Sequence, residues 1–124
     1  MAADAGLAPS AQVDWIGAVG DIMPARGVDT LLARHDGLDR VFGDTLPVLQ
    51  GFDMLLGNLE GAATRRGQKA TKTFTFRFDP AALDRLAEAG FTWLSLTNNH
   101  SFDFGLDGFL DTLDALAAAG IATS

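Results

Sequence analysis

Leu94-Ser95-Leu96-Thr97-Asn98-Asn99-His100-Ser101-Phe102-Asp103-Phe104-Gly105 is the stretch on which the reading of this 124-residue chain turns. An apolar run ends in two amides and an imidazole, then passes through aromatics and a glycine into another amphipathic segment. This is the pattern of a strand that delivers polar groups to a crevice. In open α/β sheets, binding groups collect just beyond the carboxyl ends of the strands, where the chain turns. Asn99 and His100 stand at that place.

Two earlier segments share the design. Val13 to Gly20 reads as a short, mostly buried strand that ends in glycine and then Asp21, and Phe52 to Gly61 is a second, with Asn58 and Glu60 projecting from its end. Between them lie a proline- and glycine-containing loop, a short helix over Val28 to Arg34, and weak helical patterning from Gly37 to Gln50 interrupted by Pro47. A loop runs from Gly61 to Lys72, and the alternation of Thr73 to Phe78 predicts a half-exposed strand. Asp79-Pro80 is a helix start, because the aspartate caps free amides and proline suits the first helical position. Leu83, Leu86 and Ala87 form an apolar stripe that Gly90 ends, and Phe91 to Thr97 is the next strand. From Gly105 to Ala119, Leu106, Phe109, Leu110, Leu113, Leu116 and Ala117 keep helical spacing, with Asp107, Asp111 and Asp114 on the polar side. Gly120 stops that helix, and Ile121 to Ser124 opens a further strand. The strand, helix, strand order predicts right-handed crossovers and a mostly parallel sheet of the α/β class.

Composition narrows the function. A net charge of −7 excludes the broad basic surface that non-specific nucleic-acid binding requires. With no cysteine there is no disulfide framework, thiolate metal site or cysteine nucleophile, so a metal would be held by oxygen and imidazole nitrogen. No apolar run approaches the roughly 20 residues that span a bilayer, and the chain reads as soluble. Residues 1–11 are alanine-rich, lack the basic and apolar regions of a secretory signal, and read as a disordered lead before a single domain portion over 12–124.

If the three strands are neighbours, Asp21, Asn58 with Glu60, and Asn98-Asn99-His100 converge. Carboxylates, amide oxygens and an imidazole suit a divalent cation, which would polarise a phosphoryl oxygen and activate water, with His100 serving the leaving oxygen. The set Gly-Asp-Ile-Met near the start, Gly-Asn-Leu-Glu in the middle and Asn-Asn-His-Ser-Phe-Asp-Phe-Gly before a helix resembles the bacterial CapA family of capsule and poly-γ-glutamate synthesis proteins, within the calcineurin-like metallophosphoesterase superfamily. Asn99 to Gly105 is also similar to the Asn-His-Glu-Phe-Asp-x-Gly segment of 5′-nucleotidases in that superfamily. The likeness runs from about Trp15 onward. It implies a layered α/β sandwich of metallophosphoesterase type, of which this chain is an incomplete N-terminal half, and metal-dependent phosphoester hydrolysis in the full-length form. Carried over by position, Asp21 ligates one metal, Asn58 or Glu60 takes the bridging position, Asn99 ligates the second metal, and His100 contacts the scissile phosphate. The implied metals are Mn, Zn or Fe. The implied partners are an anionic or phosphorylated small molecule or polymer and components of a capsule or poly-γ-glutamate synthase, and the implied location is the bacterial cell envelope. Two departures stand out: Met23 occupies a position where the superfamily has histidine, and the neutral Asn58 replaces its bridging aspartate. The superfamily's downstream Gly-His-x-His motif is not in the sequence, so the isolated chain is expected to hold an incomplete metal site and to be inactive.

Plainer readings compete at each position. Asp21 would cap a turn, Glu60 would be a solvated loop residue, Asn98 and Asn99 a turn pair, and His100 a structural histidine. Phe102 and Phe104 read as core or wall, and His35 as exposed. Arg65, Arg66, Lys69 and Lys72 are four of the nine basic residues, gathered in one loop, and would form either an anion-steering lip or a solvated loop. Gly61 to Lys69 does not have P-loop spacing, since Gln68 stands where lysine should follow the second glycine. Arg26 is a candidate substrate contact. Against hydrolysis stands a second function, in which an envelope-polymer accessory protein keeps the fold without the chemistry. A third is self-association through an unfinished sheet edge.

Overall fold

The computed structural model describes residues 15–124. The lead over residues 1–11 and the first two residues of the expected opening strand, Val13 and Asp14, lie outside the described residues. Six strands and five helices follow in the order β1 (Ile16–Ile22), α1 (Val28–Leu32), α2 (Gly37–Phe42), α3 (Leu46–Leu49), β2 (Met54–Leu59), β3 (Ala62–Ala63), β4 (Arg77–Phe78), α4 (Ala82–Glu88), β5 (Trp93–Ser95), α5 (Gly105–Ala118) and β6 (Ala122–Thr123), with a 3₁₀ turn at Gly43–Thr45 leading into α3. Four strands form one parallel sheet in the order β1-β2-β5-β6, and β3 pairs with β4 in a small parallel ladder of its own. This is the expected α/β class, a mainly parallel sheet layered with helices, as in a fragment of a metallophosphoesterase-type fold.

Parallel strands require long crossovers, and crossovers of this kind are right-handed. When strand order also advances in one direction, every right-handed crossover carries its helix over the same face. The burial pattern has that form. Leu55, Leu59 and Leu94, on one face, are fully buried and join Leu32, Leu83, Leu86, Phe91 and Leu116 in a single core. On the other face Met54, Leu56 and Trp93 are half-buried, and Ile16, Ala18 and Ala122 are exposed. The expectation of a mostly buried first strand is corrected here. β1 is an edge with one uncovered face, and Ile16 is 62% exposed.

Three further expectations change. Only Arg77–Phe78 of the segment 73–78 is a strand, because its partner β3 is just two residues long. Helix α5 is rotated from the expected stripe: Leu116 is buried as expected and Phe109 and Leu113 pack against the core, but Gly108 and Thr112 are buried too, while Leu106, Leu110 and Ala117 are exposed. The close approach of α5 to β3 decides this orientation. A Cβ on Gly108 would come within 3.6 Å of the Ala62 Cβ, and Thr112 Oγ1 accepts a hydrogen bond from the Ala63 amide at 2.9 Å. Small and hydroxyl-bearing residues therefore face the ladder, and Leu106 and Leu110 face outward. Helix α4 starts two residues later than Asp79-Pro80 suggests: its N-cap is Ala81, without a side-chain cap bond, and Asp79 Oδ1 instead accepts from the Ala81 amide at 3.0 Å in the turn that leads into the helix. No helix among the described residues is long and apolar enough to cross a membrane.

Candidate functional site

The three strand ends meet. β1 pairs with β2 in plain register from Ile16 opposite Met54 to Ala18 opposite Leu56, and then one extra residue in β1 brings Asp21, not Gly20, opposite Asn58. Because strand side chains alternate, this bulge decides which side chain stands beside Asn58. Asn58 Nδ2 donates to Asp21 Oδ1 at 2.8 Å, and Asn98 Nδ2 donates to Asn58 Oδ1 at 3.0 Å and to the Leu59 carbonyl at 2.8 Å. Asn98 Oδ1 in turn accepts the His100 amide at 2.9 Å. One polar chain thus runs from the carboxylate of the first strand to the backbone of the histidine after the third.

His100 is held from its other side. Its Nδ1 lies 2.8 Å from Asp103 Oδ2, and a carboxylate only accepts, so Nδ1 carries the proton and Nε2 is left unbonded to it. Asp103 is fully buried. Its Oδ2 also accepts the Phe76 amide at 2.6 Å, its Oδ1 forms an ion pair with Lys72, and Lys72 Nζ donates to the Asn99 carbonyl at 2.6 Å. Burial pushes the Asp103 carboxyl up, but the Lys72 ammonium, the Phe76 amide and His100 outweigh it and hold the group below the ordinary carboxylate value. The Phe76 ring packs on the imidazole with centroids 4.3 Å apart. Lys72, Phe76 and Asp103 thus fix the histidine, and the sequence reading assigned none of them this role. The available signal was Asp103 itself, a carboxylate three residues after the histidine between two phenylalanines, a setting in which an acid is buried only with partners.

The other candidate residues separate. Asn99 is exposed, and it is the neighbouring Asn98 that joins the strand ends. Glu60 is half-buried, and its amide donates to the Ile22 carbonyl at 2.9 Å. Arg26 is exposed, with its guanidinium over the rings of Phe74 and Phe76. His35 is exposed, as expected, and Phe104 is buried with Arg77 over its ring. Phe102, read as core or wall, is exposed and stacks on Phe109. The steering-lip reading of the basic loop does not hold, because three of its four cations are neutralised. Arg65 pairs with Asp79 at 2.6 Å, Arg66 with Asp111 at 2.8 Å, and Lys72 with Asp103.

The donor types at the converging ends, carboxylate and amide oxygens with an imidazole nearby, fit a hard divalent cation. Their number does not complete a coordination shell. Among the described residues no three His, Asp or Glu side chains gather closely enough to hold a metal ion.

Fold and site together define an α/β protein with a polar crevice at the carboxyl ends of parallel strands. Residues 15–124 match the family of bacterial capsule synthesis protein PGA_cap, and the chain belongs to that family. It is 36% identical over 107 residues to the capsule biosynthesis protein CapA of Bacillus anthracis, covering 83% of this chain and 26% of that protein. It is 32% identical over 101 residues to the PGA biosynthesis protein CapA of Bacillus subtilis, covering 80% and 26%. A probable polyglutamine synthesis accessory protein of Mycobacterium tuberculosis is 39% identical over 83 residues, covering 64% and 22%. The chain therefore spans about a quarter of the length of the curated relatives it matches.

Proposed function

We propose that this chain supplies one side of a metal-dependent phosphoester-hydrolysing site in a protein of capsule or poly-γ-glutamate synthesis. The observation that carries the reading is the hydrogen-bonded path from Asp21 through Asn58 and Asn98 to a His100 whose Nδ1 is bound by buried Asp103. Asp21, Asn58 or Glu60, and Asn99 would hold a divalent ion, with the remaining ligands coming from outside this chain. When bound, the ion would polarise a phosphoryl oxygen. His100 acts through Nε2. With Nδ1 committed to Asp103, the imidazole presents that nitrogen in a fixed direction, suited to donating a proton to a leaving oxygen when charged. Phe76 packs against the imidazole ring.

Calorimetric titration of the chain with Mn²⁺, beside Asp21→Ala and Asn99→Ala, tests the ligand assignment. Saturable binding weakened by both substitutions supports it, and unchanged affinity in both overturns it. Hydrolysis of a phosphoester by a longer form that survives both chelation and His100→Ala overturns the mechanism.

A second reading has its own support. Neutral Asn58 donates an amide hydrogen bond to Asp21, and among the described residues no three His, Asp or Glu side chains gather closely enough to hold a metal ion. An accessory protein that binds an anionic polymer or a synthase component without chemistry would keep this fold. Phosphatase turnover by the full-length protein that depends on Asp21 would exclude it.

A further inference from the structure

The turn after β1 carries an arginine where the backbone favours glycine. Arg26 has φ +57° and Gly27 φ +93°, and the Val28 amide donates back to the Ala25 carbonyl at 3.3 Å. Two successive positive φ values inside such a bond make a type I′ turn, whose central positions ordinarily fall to glycine, asparagine or aspartate. Arg26 is the one non-glycine residue with positive φ among the described residues. A long side chain held in this conformation costs stability, and strain of this kind concentrates where the side chain is used.

The guanidinium is placed with care. It lies 5.7 Å from the Phe74 ring centroid and 5.2 Å from that of Phe76, and it has no carboxylate partner among the described residues, although the chain is acidic and pairs Arg40, Arg65, Arg66 and Arg85 with aspartate or glutamate. Phe76 is itself fixed, by its amide to Asp103 and by its ring against His100. Aromatic contact orients a guanidinium without consuming its N–H donors, so the fork stays available for a planar, bidentate oxyanion.

We propose that Arg26, on the shelf made by Phe74 and Phe76, is an oxyanion-binding site for a carboxylate or phosphoryl group of the ligand, one ring removed from His100. The site needs no metal and stands whether or not the chain takes part in hydrolysis.

The test is a titration of the 124-residue chain in EDTA, followed by amide and side-chain NMR shifts. One arm uses a γ-linked glutamate oligomer and the other inorganic phosphate. Saturable shifts at Arg26, Phe74 and Phe76 are expected in at least one arm, and the arm that responds identifies the source of the oxyanion. Arg26→Gly and Arg26→Asn both suit the turn, so thermal unfolding at or above the wild-type temperature is expected, with binding weakened at least about tenfold by loss of a charge-assisted contact. Arg26→Lys, which keeps the charge and loses the fork, should fall between. The proposal is overturned if neither ligand binds, if the glycine and asparagine variants bind as wild type, or if both unfold well below it, which would make the guanidinium a structural prop.

Discussion

At the scale of single residues, Asp103 joins the most parts. Its two oxygens tie Lys72 and the Phe76 amide, from the loop after β3, to His100, which follows β5. Asp103→Asn should lower stability by about 2–4 kcal/mol, since breaking a buried charge pair strands its partner, and denaturant unfolding measures the loss. The same residue sets the acid limb. Asp103 is held below the ordinary carboxylate value, as are Asp79 by Arg65 and Asp111 by Arg66. The folded state therefore prefers the charged forms, and the unfolded chain binds more protons as the pH drops. The contribution is complete above about pH 4 and is lost as the pH falls through the lower folded values, and the fall should be shallower in Asp103→Asn. The sequence exposed these residues unevenly. His100, Asp21 and Asn58 stand out as polar groups where apolar strands end, whereas the role of Lys72 depends on a loop closing over 28 residues of separation, which no local pattern records.

At the scale of elements, the succession of strands and helices along the chain and the turn at Asp79 were legible because periodicity and capping are local, whereas the neighbours of each strand in the sheet were not. The β1 bulge, the β3–β4 ladder and the inward side of α5 were not, because each is decided by what the element meets. Leucine spacing in α5 pointed correctly to Leu116, with Phe109 and Leu113 beside it, but also to Leu106 and Leu110, and the approach of β3 turned Gly108 and Thr112 inward in their place. Leu116→Ala should cost about 3 kcal/mol and Leu106→Gln less than about 0.5 kcal/mol in urea unfolding, and the reverse order would contradict the helix orientation. The loop after β3 gives a sharper contrast. Gly67 has φ +87°, and a Cβ there would fall 2.2 Å from the Phe104 carbonyl oxygen, while a Cβ on Gly20 meets nothing within 4 Å. Gly67→Ala should therefore destabilise by about 2–4 kcal/mol, and Gly20→Ala should stay within about 0.5 kcal/mol. His100 side-chain NMR signals should shift only in the first, because the loop it displaces carries Lys72 and Phe76.

At the scale of the whole molecule, the described residues cover one face of the sheet, and among them β1 and β6 are its outer strands. Parallel sheets are ordinarily buried on both faces, and unpaired edges accept strands. Light scattering should show the average mass of this chain rising with concentration, and Ile16→Lys, which places a charge on the exposed β1 edge, should suppress the rise. A constant monomer mass would rule out association through the edge. The strand order β1-β2-β5-β6 has a further consequence for folding. Within this sheet each strand is laid beside the sheet strand completed before it, and none is inserted between two that already pair. As the chain folds, the sheet can grow by accretion at a single advancing edge, so that Asp21 and Asn58 can pair before the strand that delivers the histidine to their crevice has joined the sheet.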